Sequence, residues 1–165
     1  MTLTTHGITG AVVVSFLPTH PILGLTLAVL SHFVLDSLPH WDYRILSLDQ
    51  SLAKKGVIKM IYGSKFFLDL IRIGFDASLG FILAIGFSLW LTGDISGLLL
   101  GGAFMGMLPD GLQFVYGRTK WKILGVIQKF HNIVHTDWRL SNKYIFGILS
   151  QLIFISLIIW FRFNI

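Results

Sequence analysis

The sequence predicts an all-α integral membrane bundle of about five apolar helices plus a cytoplasmic amphipathic helix. Three observations carry this. The 165 residues are 54% hydrophobic and only 13% charged, against roughly 25% charged in a soluble domain. Mean hydropathy is +0.75, and a soluble core of this size could not hide so much apolar surface. The apolar residues also fall into five runs, while the basic residues gather between two pairs of them.

The first run covers residues 3–17 and ends at Pro18-Thr19-His20-Pro21. The second covers 22–38 and is expected to stop at Pro39, because proline cannot continue a helix ladder. The third covers 66–91, with Asp69, Arg72 and Asp76 in its first half, and Thr92-Gly93-Asp94 reads as a tight turn. The fourth covers 95–108 and is likewise expected to stop at Pro109. Residues 118–139 are basic and amphipathic, and the fifth run covers 144–163. Some runs fall short of the roughly 20 residues that span a bilayer, so they tilt, sit in thinned lipid or pack inside the bundle. Gly97-x-x-x-Gly101 and Gly102-x-x-x-Gly106 have the spacing of close helix contacts. A faint repeat at an offset of 70 pairs Gly10 with Gly80, Leu38-Pro39 with Leu108-Pro109, His6 with Asp76 and His40 with Asp110.

The charges assign an orientation. Arg44, Lys54, Lys55, Lys59 and Lys65 lie between the second and third runs. Arg118, Lys120, Lys122, Lys129, Arg139 and Lys143 lie between the fourth and fifth, whereas the other two turns carry no Lys or Arg. Positive loops face the cytoplasm, which puts the N-terminus inside and the C-terminus outside. Arg162 dissents. Trp41, Tyr43, Trp121, Trp138 and Tyr144 fall near the inner interface, and Trp90 and Trp160 near the outer one. Met1 to His6 lacks a basic n-region, so no cleavable signal peptide is expected. The net charge of +5 then reflects topology and anionic lipid, and no nucleic acid partner is expected.

Two absences narrow the chemistry. There is no Cys, which excludes disulfides, thiolate metal sites and cysteine nucleophiles. There is no Glu, so all 8 acidic residues are Asp and an HExxH metalloprotease is excluded. Neither a P-loop nor a GxSxG elbow occurs.

His and Asp residues converge on the face assigned to the cytoplasm. His32 and Asp36 share a helix face at i,i+4, as do His131 and His135. His6, Asp76, His40, Asp42 and Asp110 sit at or near run ends on the same side. Each has a plainer reading: Asp76 could pair with Arg72, Asp42 and His40 could be solvated, and Asp110 could cap the chain after Pro109. His32 and Asp36 are harder to dismiss, because ionisable groups inside a membrane segment are costly and usually functional. Together His6, His32, Asp36, His40, Asp76, Asp110, His131 and His135 exceed the roughly four ligands of one zinc. Two divalent ions about 3.5–4 Å apart, bridged by a carboxylate, would use them and would suit phosphoester hydrolysis. The ligand set of nitrogen and oxygen suits zinc, and also manganese or iron. Asp36 and Asp42 are the acids assigned to catalysis.

His6 on a Gly-containing helix, His32-x-x-x-Asp36 before Leu38-Pro39-His40-Trp41-Asp42, the Leu108-Pro109-Asp110 turn and His131-x-x-x-His135-Thr136 resemble the YdjM-like membrane-bound metal-dependent hydrolases. More remotely they are similar to zinc-dependent phospholipase C. The resemblance covers about residues 1–138. It implies a hydrolase-like helical membrane domain over 1–140 in the inner membrane; the last apolar run reads as a C-terminal transmembrane helix over 141–165, and the positive loops put the metal site on the cytoplasmic side. The substrate expected is a phosphoester of a lipid or membrane-associated molecule. Arg118, Lys120, Lys122 and Lys129 are placed to hold its anionic group. The alternatives are a metal-ion carrier or sensor, and a scaffold with a His/Asp cluster. A carrier needs polar residues at several depths, and here the outer half is nearly bare.

Overall fold

The computed structural model describes residues 1–49, 59–136, 140 and 143–164. Lys54, Lys55, Trp138 and Arg139, used above to orient the chain, lie outside them. The described residues form six helices: α1 (Leu3–Ser15), α2 (Pro21–Ser37), α3 (Ser64–Thr92), α4 (Gly97–Thr119), α5 (Lys122–Val134) and α6 (Tyr144–Asn164). The only bridge among them pairs Leu48 with Met60, antiparallel.

The helix ends follow local chemistry. Pro21 opens α2 at a position that needs no N–H. Leu38 is extended, with φ −87° and ψ 150°, as a residue before proline must be. Gly93 closes α3 in the left-handed region at φ 75°. The prediction fails at Pro109. The fourth helix does not stop there but runs ten residues further, to Thr119. Proline removes an N–H and frees the carbonyl one turn back, which is tolerated when neighbouring helices supply other partners. Pro109 is buried; the carbonyl it frees is that of Met105, and at the next carbonyl, Gly106, a side chain of α2 adds a hydrogen bond that ties the two helices together.

Five of the six helices are apolar, and they divide by length. Three helices, α3, α4 and α6, are long and apolar enough to cross a membrane. At 1.5 Å per residue α1 and α2 reach only about 20 and 25 Å. The reason for short helices is their place. α1 is the centre of the bundle, buried on all sides from His6 to Val12, with α2, α3, α4 and α6 packed around it. In its core four alanines, Ala11, Ala28, Ala84 and Ala103, are fully buried beside Ile8, Val12, Val14 and Phe87. Many large apolar side chains point outward; Ile22 is 82% and Phe75 72% exposed. So much exposed apolar surface, together with three helices of spanning length, fits a chain whose outer surface meets hydrocarbon.

The tightest contact is between α1 and α4. A Cβ on Gly10 would run into the Gly102 carbonyl oxygen, and a Cβ on Gly106 into the His6 carbonyl oxygen. The Gly102/Gly106 spacing therefore makes the close contact with α1. Gly97 has open space beside it, and Gly101 meets only a leucine methyl. The approach fixes the height of His6 against α4.

Candidate metal centre

Asp36, at the last turn of α2, is the hub. Its carboxylate is 1% exposed and has imidazoles on both oxygens. Oδ2 lies 2.7 Å from His131 Nε2 and 3.2 Å from His32 Nε2. Oδ1 lies 3.1 Å from His6 Nε2 and 4.0 Å from His40 Nε2, and 2.9 Å from the α-amino group of Met1. Asp110 Oδ1, on α4, approaches His32 Nε2 at 3.7 Å and His131 Nε2 at 4.0 Å. Two groups able to hold a cation emerge: His32, Asp36, Asp110 and His131, and Asp36, His40 and His135. Asp36 belongs to both.

The local folding explains the convergence. One helical turn puts His32 and Asp36 on the same face, and Pro39 ends α2 so that His40 folds back beside Asp36. The backbone N–H of Thr136 donates to the Asp36 carbonyl and that of Leu140 to the His40 carbonyl, both at 2.9 Å. The chain after α5 is thus strapped to the end of α2, which brings His131 and His135 over the site. The rings of His6 and His32 stack with centroids 4.0 Å apart, and those of His40 and His135 meet edge-on at 5.0 Å.

The hydrogen bonds leave lone pairs aimed inward. His32 Nδ1–H donates to the Gly106 carbonyl at 2.9 Å, so its Nε2 is the acceptor atom. His40 Nδ1–H donates to the Leu38 carbonyl at 2.7 Å, and its buried Nε2 has no hydrogen-bond partner. Both ring nitrogens of His6 are buried without a hydrogen bond. Burial holds the His40 imidazole below its ordinary value, which keeps it neutral and able to ligate. His131 Nδ1 accepts from the Gln113 amide Nε2 at 2.7 Å, and its Nε2–H donates to Asp36 Oδ2 at 2.7 Å, so Gln113 fixes the ring with Nε2 turned toward the centre. Metal-binding histidines are oriented in this way by an outer partner. Orphaned imidazole nitrogens around one carboxylate fit a divalent cation, since a buried polar atom without a partner is costly.

Seven of the sequence-predicted residues come together: His6, His32, Asp36, His40, Asp110, His131 and His135. Asp76 does not join them. Its two oxygens accept from the backbone N–H groups of Leu3 at 2.8 Å and Thr4 at 3.0 Å, and from the Thr4 hydroxyl at 2.6 Å. A carboxylate at a helix N-terminus satisfies orphan donors and the helix dipole. Asp76 therefore caps α1, and together with burial it holds the Tyr43 phenol above its ordinary value. Asp42 lies in the segment after Pro39 and belongs to neither cation-competent group. Arg118, Lys120, Lys122 and Lys129 are exposed. Arg118 lies over the Tyr62 ring at 4.4 Å and Lys120 over the Tyr116 ring at 5.0 Å.

Three supporting residues were missed. Gln113 orients His131. Gln151, on α6, accepts from the hydroxyls of Thr5 at 2.7 Å and Thr2 at 3.0 Å and donates to the Trp41 carbonyl at 2.8 Å. It ties the start of α1 to the residue next to His40. Arg162 donates to the Ser15 hydroxyl at 2.9 Å and the Ser15 carbonyl at 3.3 Å, closing the other end of α1. An amide or guanidinium inside an otherwise apolar helix was the available signal.

No protein-family model matches the chain, and no curated protein or solved structure matches it.

Proposed function

We propose that the chain is a membrane-embedded metal-dependent hydrolase of the YdjM-like kind, acting on a phosphoester of a lipid or membrane-associated substrate. The observation that carries it is the Asp36 carboxylate shared by two His/Asp groups. His32, Asp110 and His131 would complete the ligand set on its Oδ2 side. His40 and His135, with His6 beside them, would complete the set on its Oδ1 side. Zinc is the metal favoured by the imidazole-rich set, and two ions sharing Asp36 is the stoichiometry that uses every ligand. Such ions, when bound, supply an acidified water and polarise the phosphoryl oxygen.

The chain's own residues divide the remaining work. Asp36 is enclosed by imidazoles and serves as the bridge. Asp110 is 27% exposed in its side chain, the more accessible of the two acids of the cluster, and would be the one to meet an incoming substrate. Asp42 lies one residue beyond His40 and Trp41, within the segment that edges the site. Hydrolysis adds water oxygen to phosphorus, breaks the ester P–O bond and gives the leaving alkoxide a proton. Arg118, Lys120, Lys122 and Lys129 stand along the basic edge where an anionic headgroup would be held. The positive connections argue for placing this face in the cytoplasm. The carrier reading is disfavoured because both cation-competent groups among the described residues lie at one end of the bundle.

The test is metal analysis of the purified chain with hydrolysis of a simple aryl phosphodiester. Bound zinc and turnover, both lost in Asp36→Asn, are the expected result. A chain that binds no divalent metal and is unaffected by Asp36→Asn sinks the reading.

A further inference from the structure

α5 has a face that neither the bundle nor the metal centre uses. Leu124, Gln128 and His131 are buried against the bundle. Lys122, Lys129 and Asn132 lie on a second, exposed face. Ile123, Val126, Phe130 and Ile133 form a third stripe at helical spacing, and it too is open, with Val126 71% and Ile133 72% exposed. A helix with an exposed apolar stripe flanked by lysines lies in the plane of a membrane surface.

Beside that stripe is a groove of about 400 Å³ between α2, α4 and α5. Every side chain that lines it is apolar, including Val29 and Phe33 of α2, Pro109 and Leu112 of α4, and Val126 and Phe130 of α5. Val126 and Phe130 belong to both the groove and the exposed stripe, so the groove is continuous with the lipid-facing surface. Its inner wall touches the metal centre. The Phe33 ring meets His32 edge-on at 5.3 Å and His131 at 5.8 Å, and Asp110 follows Pro109 directly.

We infer that this groove seats one acyl chain of a bilayer lipid, which presents the lipid's headgroup ester to Asp110 and the histidines. The size lies within the roughly 300–1,000 Å³ of ligand pockets. A void facing hydrocarbon forfeits dispersion contacts on its empty side, so a neighbouring chain fills it. The lysine face of α5 lies beside the stripe, where its cations would attract the phosphate of a lipid seated in the groove. The seating of the chain stands on the groove alone; the lipid's role as substrate rests on the hydrolase reading above.

The experiment uses the full chain in vesicles of phosphatidylcholine and phosphatidylglycerol, with a phosphatidylglycerol carrying a photoreactive group on its acyl chain. Crosslinks are mapped by mass spectrometry in the parent and in Val126→Trp and Leu112→Trp, two variants at the groove's open side. The expected result is labelling of the groove segments of α2, α4 and α5, reduced at least about tenfold in both variants with bound metal unchanged. Cleavage of the lipid falls by a similar factor, while cleavage of a soluble aryl phosphodiester stays within about twofold of the parent. Labelling spread evenly over α3 and α6, and indifferent to both variants, overturns the proposal. Groove labelling without cleavage of either ester supports the acyl seat and sinks the hydrolase reading instead.

Discussion

Leu38-Pro39 and Leu108-Pro109 are the same dipeptide, 70 residues apart, and the bundle treats them differently. At the first, α2 ends and the chain turns out, bringing His40 back beside Asp36. At the second, α4 continues through a buried proline. Leu38 is 45% exposed, so nothing holds it helical against the clash with the proline ring. Around Pro109, α1, α2 and α5 pack against α4 and keep it in line. The same offset sets His32 against Gly102 and Asp36 against Gly106. One hairpin carries His32 and Asp36 of the cation-competent group at those positions. The other carries the two glycines that admit the backbone of α1, and its Gly106 carbonyl receives the His32 proton. Two similar frames thus divide the work: one supplies donors, the other supplies space and orientation.

This division can be broken by substitution. The largest stability effect is expected at Gly106→Ala, where the new carbon meets the fixed His6 carbonyl. Overpacking of this kind costs about 1–3 kcal/mol, and backbone contact puts it at the upper end. Gly111→Ala, five residues on with open space around it, should be neutral or gain about 0.5–1 kcal/mol from helix propensity. Thermal unfolding in detergent of the two variants compares them directly, and equal losses would remove the special role given to the α1–α4 contact. Next is Gln113→Leu, which deprives His131 Nδ1 of its partner. Zinc affinity by competition with a chelator should fall about 10–100-fold, with the fold intact. Unchanged affinity would show that His131 is not oriented by Gln113. The smallest effect is expected at Asp76→Ala. Loss of a helix cap costs about 0.5–2 kcal/mol, and bound metal should be retained. Loss of metal with stability unchanged would return Asp76 to the ligand set.

Much of the centre was legible because it is local. His32 with Asp36, and His131 with His135, are each one helical turn apart, and that spacing needs no knowledge of the fold. His6 and Asp110 were reached through orientation, since ionisable residues at one membrane face have few places to go. Asp76 was misjudged because its role depends on where the first turn of α1 lands, more than seventy residues away in sequence. The run through Pro109 was misjudged because a proline rule is local while the packing that overrides it is not. Gln113 and Gln151 carry no motif; only the position of their partners gives them meaning. Six helices were anticipated as five runs and an amphipathic segment, but the central burial of α1 could not be read from a run of valines and glycines.

The first and last helices hold each other at both ends. Gln151 grips Thr2 and Thr5 near the metal centre, and Arg162 grips Ser15 at the far end. α1 is therefore held at each end by partners more than 140 residues away in sequence, in addition to the register that its close approach to α4 sets. A chain cut before residue 151 would keep every histidine of the cluster and the α1–α4 approach, and would lose the contacts that tie Thr2, Thr5 and Ser15 to α6.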